Sequence, residues 1–272
     1  MNFNIAALKK RMGRASMLEP VLVLEALMEA CPSAKYYLVG GAVRDLVFGE
    51  IHNEFFTFKD LDFEVHNVYP SDFVKQCKML KNPQIELEFV GEFFGVYKLT
   101  YLTSDRRSAT IDISFPRTEA CVGGGHADFE IQVDPFLSMS KAMQRRDFSM
   151  NAMYIDMRTG QLLDLYGGVD DISYRRINCV DTNTFKEDPL RVLRAAAFAS
   201  RFNLNLSKEL ISISRTMDLS NLSRERVADE FLKINEKGLM TPFMTKLAQL
   251  NPTFFYKWFG VERYAYNHGK HL

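Results

Sequence analysis

Leu38-Val39-Gly40-Gly41-Ala42-Val43-Arg44-Asp45 predicts the strand, turn and helix at the centre of an α/β domain. The apolar run Tyr36–Val39 is typical of a short buried strand, and Ala42–Phe48 of a helix start. Between them, the glycine pair lets the backbone approach a ligand closely, and the free N–H groups at a helix N-terminus favour anions. Arg44 would add a charge-assisted contact. These residues alone fit a phosphate-binding turn and an ordinary tight turn equally well.

Asp60-Leu61-Asp62-Phe63-Glu64-Val65 predicts a second strand with an acidic face. Side chains alternate along a strand, so Asp60 and Asp62 share one face while Leu61 and Phe63 enter the core. Two adjacent carboxylates repel each other unless cations lie between them. Carboxylate and phosphate oxygens suit Mg²⁺, and a metal pair would hold the attacking and leaving oxygens of a phosphoryl displacement. The segment therefore predicts metal ligands at Asp60 and Asp62, with a solvated strand end as the alternative.

Asp112 is a candidate third catalytic carboxylate. It lies in the predicted strand Ala109–Phe115, with Ile111 and Ile113 on the opposite face. The alternative is an edge-strand acid that pairs with a neighbouring arginine, and the sequence favours neither interpretation.

The spacing of apolar residues predicts two regions, the first with helices and strands and the second with helices. Helices are predicted at Met17–Ala30 and Ser71–Leu80, and strands near Glu86–Val90 and Val96–Tyr101. After Tyr166-Gly167-Gly168 strand signals fade, and helical periodicity marks Pro189–Phe202 and Arg224–Glu236. The predicted domains are an α/β head over 1–158, an all-helical neck over 159–236 and a short helical C-terminal remnant over 237–272.

The composition is that of an ordinary globular protein that folds in water. Of the 272 residues, 47% are hydrophobic and 25% charged, and 34 basic residues balance 34 acidic ones. A nucleic-acid partner would therefore need a local basic patch. The four cysteines have no zinc-binding spacing and favour a reducing, cytoplasmic location. No apolar run reaches membrane-spanning length, so no membrane association is expected.

Five motifs together resemble the class II tRNA nucleotidyltransferase and bacterial poly(A) polymerase family. In order they are GGAVRD (40–45), DLDFEV (60–65), RRDFSMNA (145–152), EDPLRVLRA (187–195) and RERVADE (224–230). The resemblance covers Leu38 to about Glu230. It implies a polymerase-β-like nucleotidyltransferase head followed by a helical neck. It also implies an enzyme that adds C and A nucleotides to the 3′ end of tRNA from CTP and ATP, with Mg²⁺ as cofactor and pyrophosphate as product.

The resemblance also implies roles for particular residues. It places the metal ions on Asp60 and Asp62, and the triphosphate and ribose on residues of the first and third motifs. The implied nucleotide-binding residues of the head are Gly40, Gly41, Arg44, Asp45, Arg146, Asp147 and Asn151.

Asp188, Arg191 and Arg194 recur at helical spacing, which predicts one shared helix face. The resemblance implies that this face reads the base of the incoming nucleotide. Arginine can donate to the edge of cytosine, and a carboxylate can accept from the exocyclic amine of cytosine or adenine. Uracil and guanine present a carbonyl there and would leave buried acceptors unpaired. The alternative is a solvated charged helix face.

Two positions depart from the family pattern. Ala197 stands where the family commonly has an arginine, and Ser140–Gln144 lacks the acid that commonly precedes RRDF. Either departure would alter nucleotide affinity or fidelity without touching the metal ligands.

Three functions remain open from the sequence. The glycine-rich stretch Cys121–His126 predicts a mobile loop of the kind that family members use to switch from C to A addition, which favours full CCA addition. An ATP-only adenylyltransferase is the alternative, and a non-catalytic RNA-binding protein is a third reading that the intact Asp60 and Asp62 argue against. The short C-terminus is expected to belong to a compact form of the family, viral or truncated, or to one that a homodimer completes.

Overall fold

The computed structural model describes residues 18–54, 61–79, 85–89, 96–102, 108–121 and 129–259. Cα packing divides the chain into two units, Met1–Ser173 and Tyr174–Leu272. Among the described helices, none is long and apolar enough to cross a membrane.

The first unit combines helices and strands. In chain order its elements are α1 (Leu18–Ala30), β1 (Lys35–Val39), α2 (Gly41–His52), β2 (Leu61–His66), α3 (Pro70–Met79), β3 (Ile85–Phe89), β4 (Val96–Leu102), β5 (Ser108–Ser114), β6 (Arg117–Cys121), β7 (Phe129–Val133), α4 (Met139–Gln144), β8 (Tyr154–Asp156), β9 (Leu162–Leu163) and α5 (Gly168–Ser173), with a 3₁₀ turn at Ser149–Asn151.

Seven of the described strands form one mixed sheet in the order β3-β4-β5-β2-β1-β8-β9. The central strand β2 pairs antiparallel with β1 and parallel with β5. β6 and β7 form a separate antiparallel hairpin. Because β2 lies inside the sheet, side chains on its two faces have neighbours on both sides.

The two faces of β2 differ in polarity. Leu61, Phe63 and Val65 are fully buried in the apolar core. Asp62, Glu64 and His66 alternate with them and share the opposite face. The expectation that Leu61 and Phe63 enter the core is confirmed, and the carboxylates are thereby fixed on one side of the sheet.

Between residues 174 and 259, the described part of the second unit, the regular elements are helices apart from the two-residue parallel pair of β10 (Arg176–Ile177) and β11 (Asn205–Leu206). Its helices are α6 (Thr182–Glu187), α7 (Leu190–Arg201), α8 (Lys208–Thr216), α9 (Arg224–Asn235), α10 (Met240–Leu250) and α11 (Pro252–Phe259). α9 and α10 pack on α7. One face of α7 is fully buried, with Val192, Leu193, Ala196 and Ala199 spaced three or four positions apart along it.

The predicted α/β region followed by a helical region is confirmed. Predicted helices and strands agree with the structure to within a residue or two at most ends, because their periodicity is strong. The predicted mobile loop Cys121–His126 falls almost entirely outside the described residues. Cα packing places the division between the units after Ser173 rather than after residue 158. The reason is that α5 packs on α2 and on the 3₁₀ turn. The functional boundaries of head, neck and remnant stay predictions.

Gly168→Ala should destabilise the first unit. A Cβ at this position would lie 2.5 Å from the Ser149 carbonyl oxygen and 2.8 Å from Met153 Cγ. Such overpacking typically costs about 1–3 kcal/mol, measurable as a lower free energy of unfolding in urea. Gly167→Ala is the matched control, since its Cβ would meet open space and only the left-handed φ of 73° is strained, at about 1 kcal/mol. Equal losses in the two variants would contradict the packing argument.

Candidate active site

The turn after β1 brings the backbone against an acidic side chain. Gly40 has φ 71° and ψ −136°, a conformation that favours glycine. A Cβ at Gly40 would lie 3.3 Å from Asp62 Oδ2 and 3.7 Å from Arg146 Nη1. α2 begins at the next residue, so its first N–H groups have no acceptor within the helix. The turn therefore combines a close backbone approach, a helix N-terminus, a carboxylate and a guanidinium.

Asp62 and Asp112 are paired neighbours on parallel strands. The register of β2 and β5 places Asp62 opposite Asp112, and β4 places Lys98 on the other side of Asp112. β5 lies between β2 and β4, so Asp112 is not on an edge strand. The two carboxylates share one face, and their hard oxygens fit a divalent cation such as Mg²⁺. Within the described residues, no group of three or more His, Cys, Asp or Glu could hold a metal ion; Asp60 lies outside them.

A chain of buried hydrogen bonds links α2 to the segment after α4. Arg44 donates from Nε to Asp45 Oδ1 at 2.8 Å and from Nη1 to Asn151 Oδ1 at 2.9 Å. Asn151 Nδ2 in turn donates to Asp147 Oδ1 at 2.9 Å. All four side chains are at least nine-tenths buried. Residues separated by about a hundred positions thus form one polar unit, in which Arg44 points into the protein.

Glu64 is a fully buried carboxylate with four polar neighbours. Oε1 accepts from Tyr154 Oη at 2.9 Å and lies 3.0 Å from His66 Nε2. Oε2 accepts from Arg145 Nη2 at 2.9 Å and lies 3.6 Å from Arg146 Nη2. Burial raises the pKa of Glu64, but the hydrogen bond from His66 and the charges of Arg146 and Arg145 outweigh it and lower the pKa to about 2. Glu64 is therefore ionised and compensated inside the protein.

Arg146 lies between Glu64 and the glycine turn. Its Nε donates to Tyr154 Oη at 3.2 Å, and its guanidinium carbon lies 4.9 Å from the centre of the Tyr154 ring. Burial disfavours the charge, yet Tyr154, Glu64 and Asp62 together raise the pKa of Arg146 above its usual range. The side chain is permanently cationic beside Asp62.

In the second unit, Asp188 is held by an arginine of α9. Arg226 donates from Nη1 to Oδ1 and from Nη2 to Oδ2, each at 3.2 Å. The amide of Leu190 also donates to Asp188 Oδ1, at 3.1 Å. A two-point arginine–carboxylate pair fixes the plane of the carboxylate. About a quarter of each charged side chain remains exposed.

The expectation that Asp188 shares a helix face with Arg191 and Arg194 is corrected by the structure. Asp188 is the C-cap of α6, with φ −126° and ψ 102°, and α7 begins only at Leu190. The reason is Pro189, which excludes the preceding residue from the helical conformation. Arg191 and Arg194 do lie one turn apart on α7. Arg191 donates to the Thr184 carbonyl oxygen at 2.7 Å, and Arg194 lies 5.3 Å above the Phe198 ring.

The predicted site residues fall into two groups. In the first unit, hydrogen bonds, register and close approach connect Gly40, Arg44, Asp45, Asp62, Asp112, Arg146, Asp147 and Asn151, and Gly41 lies against the Arg44 guanidinium. The second unit holds Asp188, Arg191 and Arg194. Their roles stay predictions.

Sequence reasoning missed Glu64, Tyr154 and Arg226. Signals for two of them were present. Glu64 continues the alternation of Asp60 and Asp62 in DLDFEV, and Arg226 lies in RERVADE.

A comparison with known families shows which protein family contains this site. A family described as "Poly A polymerase head domain" matches residues 36–178, just over half of the chain. The chain belongs to this family. The match contains the glycine turn, β2, β5 and the RRDF segment of the poly(A) polymerase head domain. The family resemblance expected from the sequence is confirmed.

Curated relatives extend the similarity beyond the head domain. The chain is 34% identical over 215 residues to the "Multifunctional CCA protein" of Pasteurella multocida (strain Pm70), covering 76% of this chain and 44% of the relative. It is 35% identical over 206 residues to the protein of that name from Stenotrophomonas maltophilia (strain K279a), covering 73% and 45%. The chain thus spans about half the length of the curated relatives it matches.

Solved structures share the fold. An apo form of a CCA-adding enzyme superposes with a TM-score of 0.69 at 24% identity, covering 89% of this chain and 55% of that one. The Bacillus stearothermophilus CCA-adding enzyme in complex with CTP gives 0.67 at 23%, covering 87% and 53%. The expected nucleotidyltransferase head with a helical region is confirmed as the fold.

Glu64 should make the protein sensitive to acid. Its pKa falls from about 4.5 to about 2 on folding, so its contribution is present above pH 4.5 and lost as the pH drops toward 2. The loss would reach about 3 kcal/mol, measurable as the unfolding free energy in urea at stepped pH. Glu64→Gln should lack this part of the slope, and Glu236→Gln, an exposed control, should keep it. Identical acid slopes in wild type and Glu64→Gln would contradict the prediction.

Proposed function

We propose that this protein is a template-independent RNA nucleotidyltransferase that adds C and A nucleotides to the 3′ end of tRNA, using CTP and ATP. The observation that carries the proposal is the buried chain Arg44–Asn151–Asp147. It ties the helix that follows the glycine turn to the RRDF segment, whose Arg146 lies beside Asp62. An incoming triphosphate would find backbone N–H groups, a guanidinium and carboxylates within one small region.

The proposed reaction is an in-line displacement at the α-phosphate. The 3′ hydroxyl oxygen of the RNA forms a bond to the α-phosphorus, and the bond from that phosphorus to the bridging oxygen of pyrophosphate breaks. Asp112 is the candidate acceptor of the hydroxyl proton, since it lies beside Asp62 on the same face of the sheet. Asp60 and Asp62 would hold Mg²⁺, which when bound neutralises charge on the phosphates. Arg146 would contact the triphosphate and Asp147 the ribose.

Base choice is proposed to depend on Asp188. Its carboxylate plane is fixed by Arg226, and a fixed acceptor can distinguish an amine from a carbonyl. Cytosine and adenine carry that exocyclic amine, whereas uracil and guanine do not carry it at the same place. Arg191 and Arg194 would donate to the base or the phosphates from α7.

The comparisons support C and A addition over an ATP-only reaction. The curated relatives carry the name "Multifunctional CCA protein", and one structural neighbour was solved with CTP and another with ATP. tRNA is the proposed RNA because the Thermotoga maritima neighbour was solved with it. A cytoplasmic location is proposed because the described cysteines are free thiols. Assembly as a homodimer also stays a proposal.

One incorporation assay tests the proposal. The protein is incubated with Mg²⁺ and labelled CTP or ATP on two substrates, a tRNA that lacks CCA and a tRNA that ends in CC. We expect CTP incorporation on the first and ATP incorporation on the second. Incorporation of ATP alone, only on the CC-ended tRNA, would instead indicate an A-adding enzyme, and extended ATP incorporation a poly(A) polymerase. Absence of incorporation on either RNA would favour a non-catalytic RNA-binding protein.

Asp60→Ala and Asp62→Ala should each abolish transfer in that assay. Loss of a metal-binding carboxylate removes charge stabilisation at the reacting phosphate. Circular dichroism and the thermal midpoint should stay near those of wild type. Asp170→Ala, an exposed aspartate of α5, is the matched control and should retain full activity. Retained activity in either site variant would overturn the metal assignment.

Asp188→Ala should relax base choice more than it weakens RNA binding. Losing the fixed acceptor should raise the incorporation of UTP and GTP relative to CTP and ATP on the order of tenfold or more. Arg226→Gln should act in the same direction, because it frees the plane of Asp188. Lys233→Gln, on the same helix but paired with Glu230, is the matched control. Unchanged discrimination in Asp188→Ala would count against the base-reading role.

A further inference from the structure

The Arg146 guanidinium has a different neighbour at each nitrogen. Nε donates to Tyr154 Oη at 3.2 Å, and Nη2 lies 3.6 Å from Glu64 Oε2. Nη1 lies on the side of the glycine turn, 3.7 Å from where a Gly40 Cβ would stand. A guanidinium is planar, so fixing two nitrogens fixes the direction of the third. Tyr154 and Glu64, which contact the other two nitrogens, therefore determine the direction of Nη1.

Glu64 and Tyr154 do not belong to the region where nucleotide would bind. Both are fully buried, whereas the Arg146 side chain keeps 16% of its surface exposed. Tyr154 Oη also donates to Glu64 Oε1 at 2.9 Å, so the two groups support each other. Neither would touch substrate, and each reaches the site only through an arginine.

A long side chain needs such support to act as a phosphate ligand. Free arginine side chains populate many rotamers, and ordering one on binding weakens affinity. Asp62 Oδ2 and Arg146 Nη1 both lie against the Gly40 turn, at 3.3 Å and 3.7 Å from a Cβ placed there, so their opposite charges attract each other. Without Glu64, only Tyr154 would oppose that attraction, and the guanidinium would be drawn toward a proposed metal ligand.

We propose that Glu64 and Tyr154 are positioning residues, which hold Arg146 Nη1 at the Gly40 turn to receive the phosphates beyond the α-phosphate of the incoming nucleotide. This inference rests on the proposed function. Ser140–Gln144, the segment before the two arginines, contains no acid. The carboxylate comes from β2 instead, the strand that carries Asp62.

The test compares triphosphate with monophosphate binding. Dissociation constants for CTP and CMP, both with Mg²⁺, are measured by calorimetry for wild type, Tyr154→Phe and Glu64→Gln. Tyr154→Phe keeps the ring and removes only the hydroxyl. We expect CTP to bind on the order of tenfold more weakly to both variants, with CMP affinity unchanged within about twofold. Tyr37→Phe, which removes a buried hydroxyl from the neighbouring strand, is the control and should match wild type.

A double-mutant cycle shows whether Tyr154 acts through Arg146. In an Arg146→Gln background, Tyr154→Phe should have no further effect on CTP affinity. A merely structural role would weaken CTP and CMP equally, or add to Arg146→Gln in full, and either result would overturn the inference. CTP affinity within about twofold of wild type in both single variants would overturn it as well. Wild type that binds neither CTP nor ATP would instead refute the proposed function, and the inference with it.

Discussion

A carboxylate without access to water must be paired, and Glu64 imposes this condition at the centre of the first unit. Ionising a buried acid alone would be costly, so the protein has to bring donors to it. Tyr154 comes from β8, His66 from β2, and Arg145 and Arg146 from the segment after α4. Meeting that single condition fixes the segment against the sheet. The same contacts place Arg146 beside Asp62.

The hydrogen bonds that start from Arg44 stabilise a different part of the first unit. Arg44, Asp45, Asn151 and Asp147 satisfy one another's buried hydrogen-bonding groups, so α2 and the 3₁₀ turn are held together by polar contacts as well as by packing. A rigid connection of this kind suits the triphosphate site proposed above. Arg44 contributes as a support for Asn151, although its position in the motif also fits a phosphate ligand.

In the second unit, too, one charged side chain orients another. Asp188 lies at the C-cap of α6, and Arg226 of α9 donates to both of its carboxylate oxygens. A carboxylate with a fixed plane suits the proposed discrimination between donor and acceptor edges of a base. In both units, a residue distant in the chain thus orients a predicted site residue: Glu64 and Tyr154 orient Arg146, and Arg226 orients Asp188. The partial exposure of Asp188 is compatible with the proposed base-reading role.

Local pattern was enough to predict the strand–glycine–helix unit, the two faces of β2 and the helices α1, α2, α3, α7 and α9, because periodicity and the special backbone freedom of glycine act over a few residues. The motifs also predicted the family. Local pattern misplaced Asp188, since helical spacing outweighed the effect of Pro189. Pairings such as Glu64 with Arg145, Arg44 with Asn151 and Asp188 with Arg226 were decided only by tertiary structure. Their partners lie far apart in the chain, and strand register and helix packing, which no local pattern contains, bring them together.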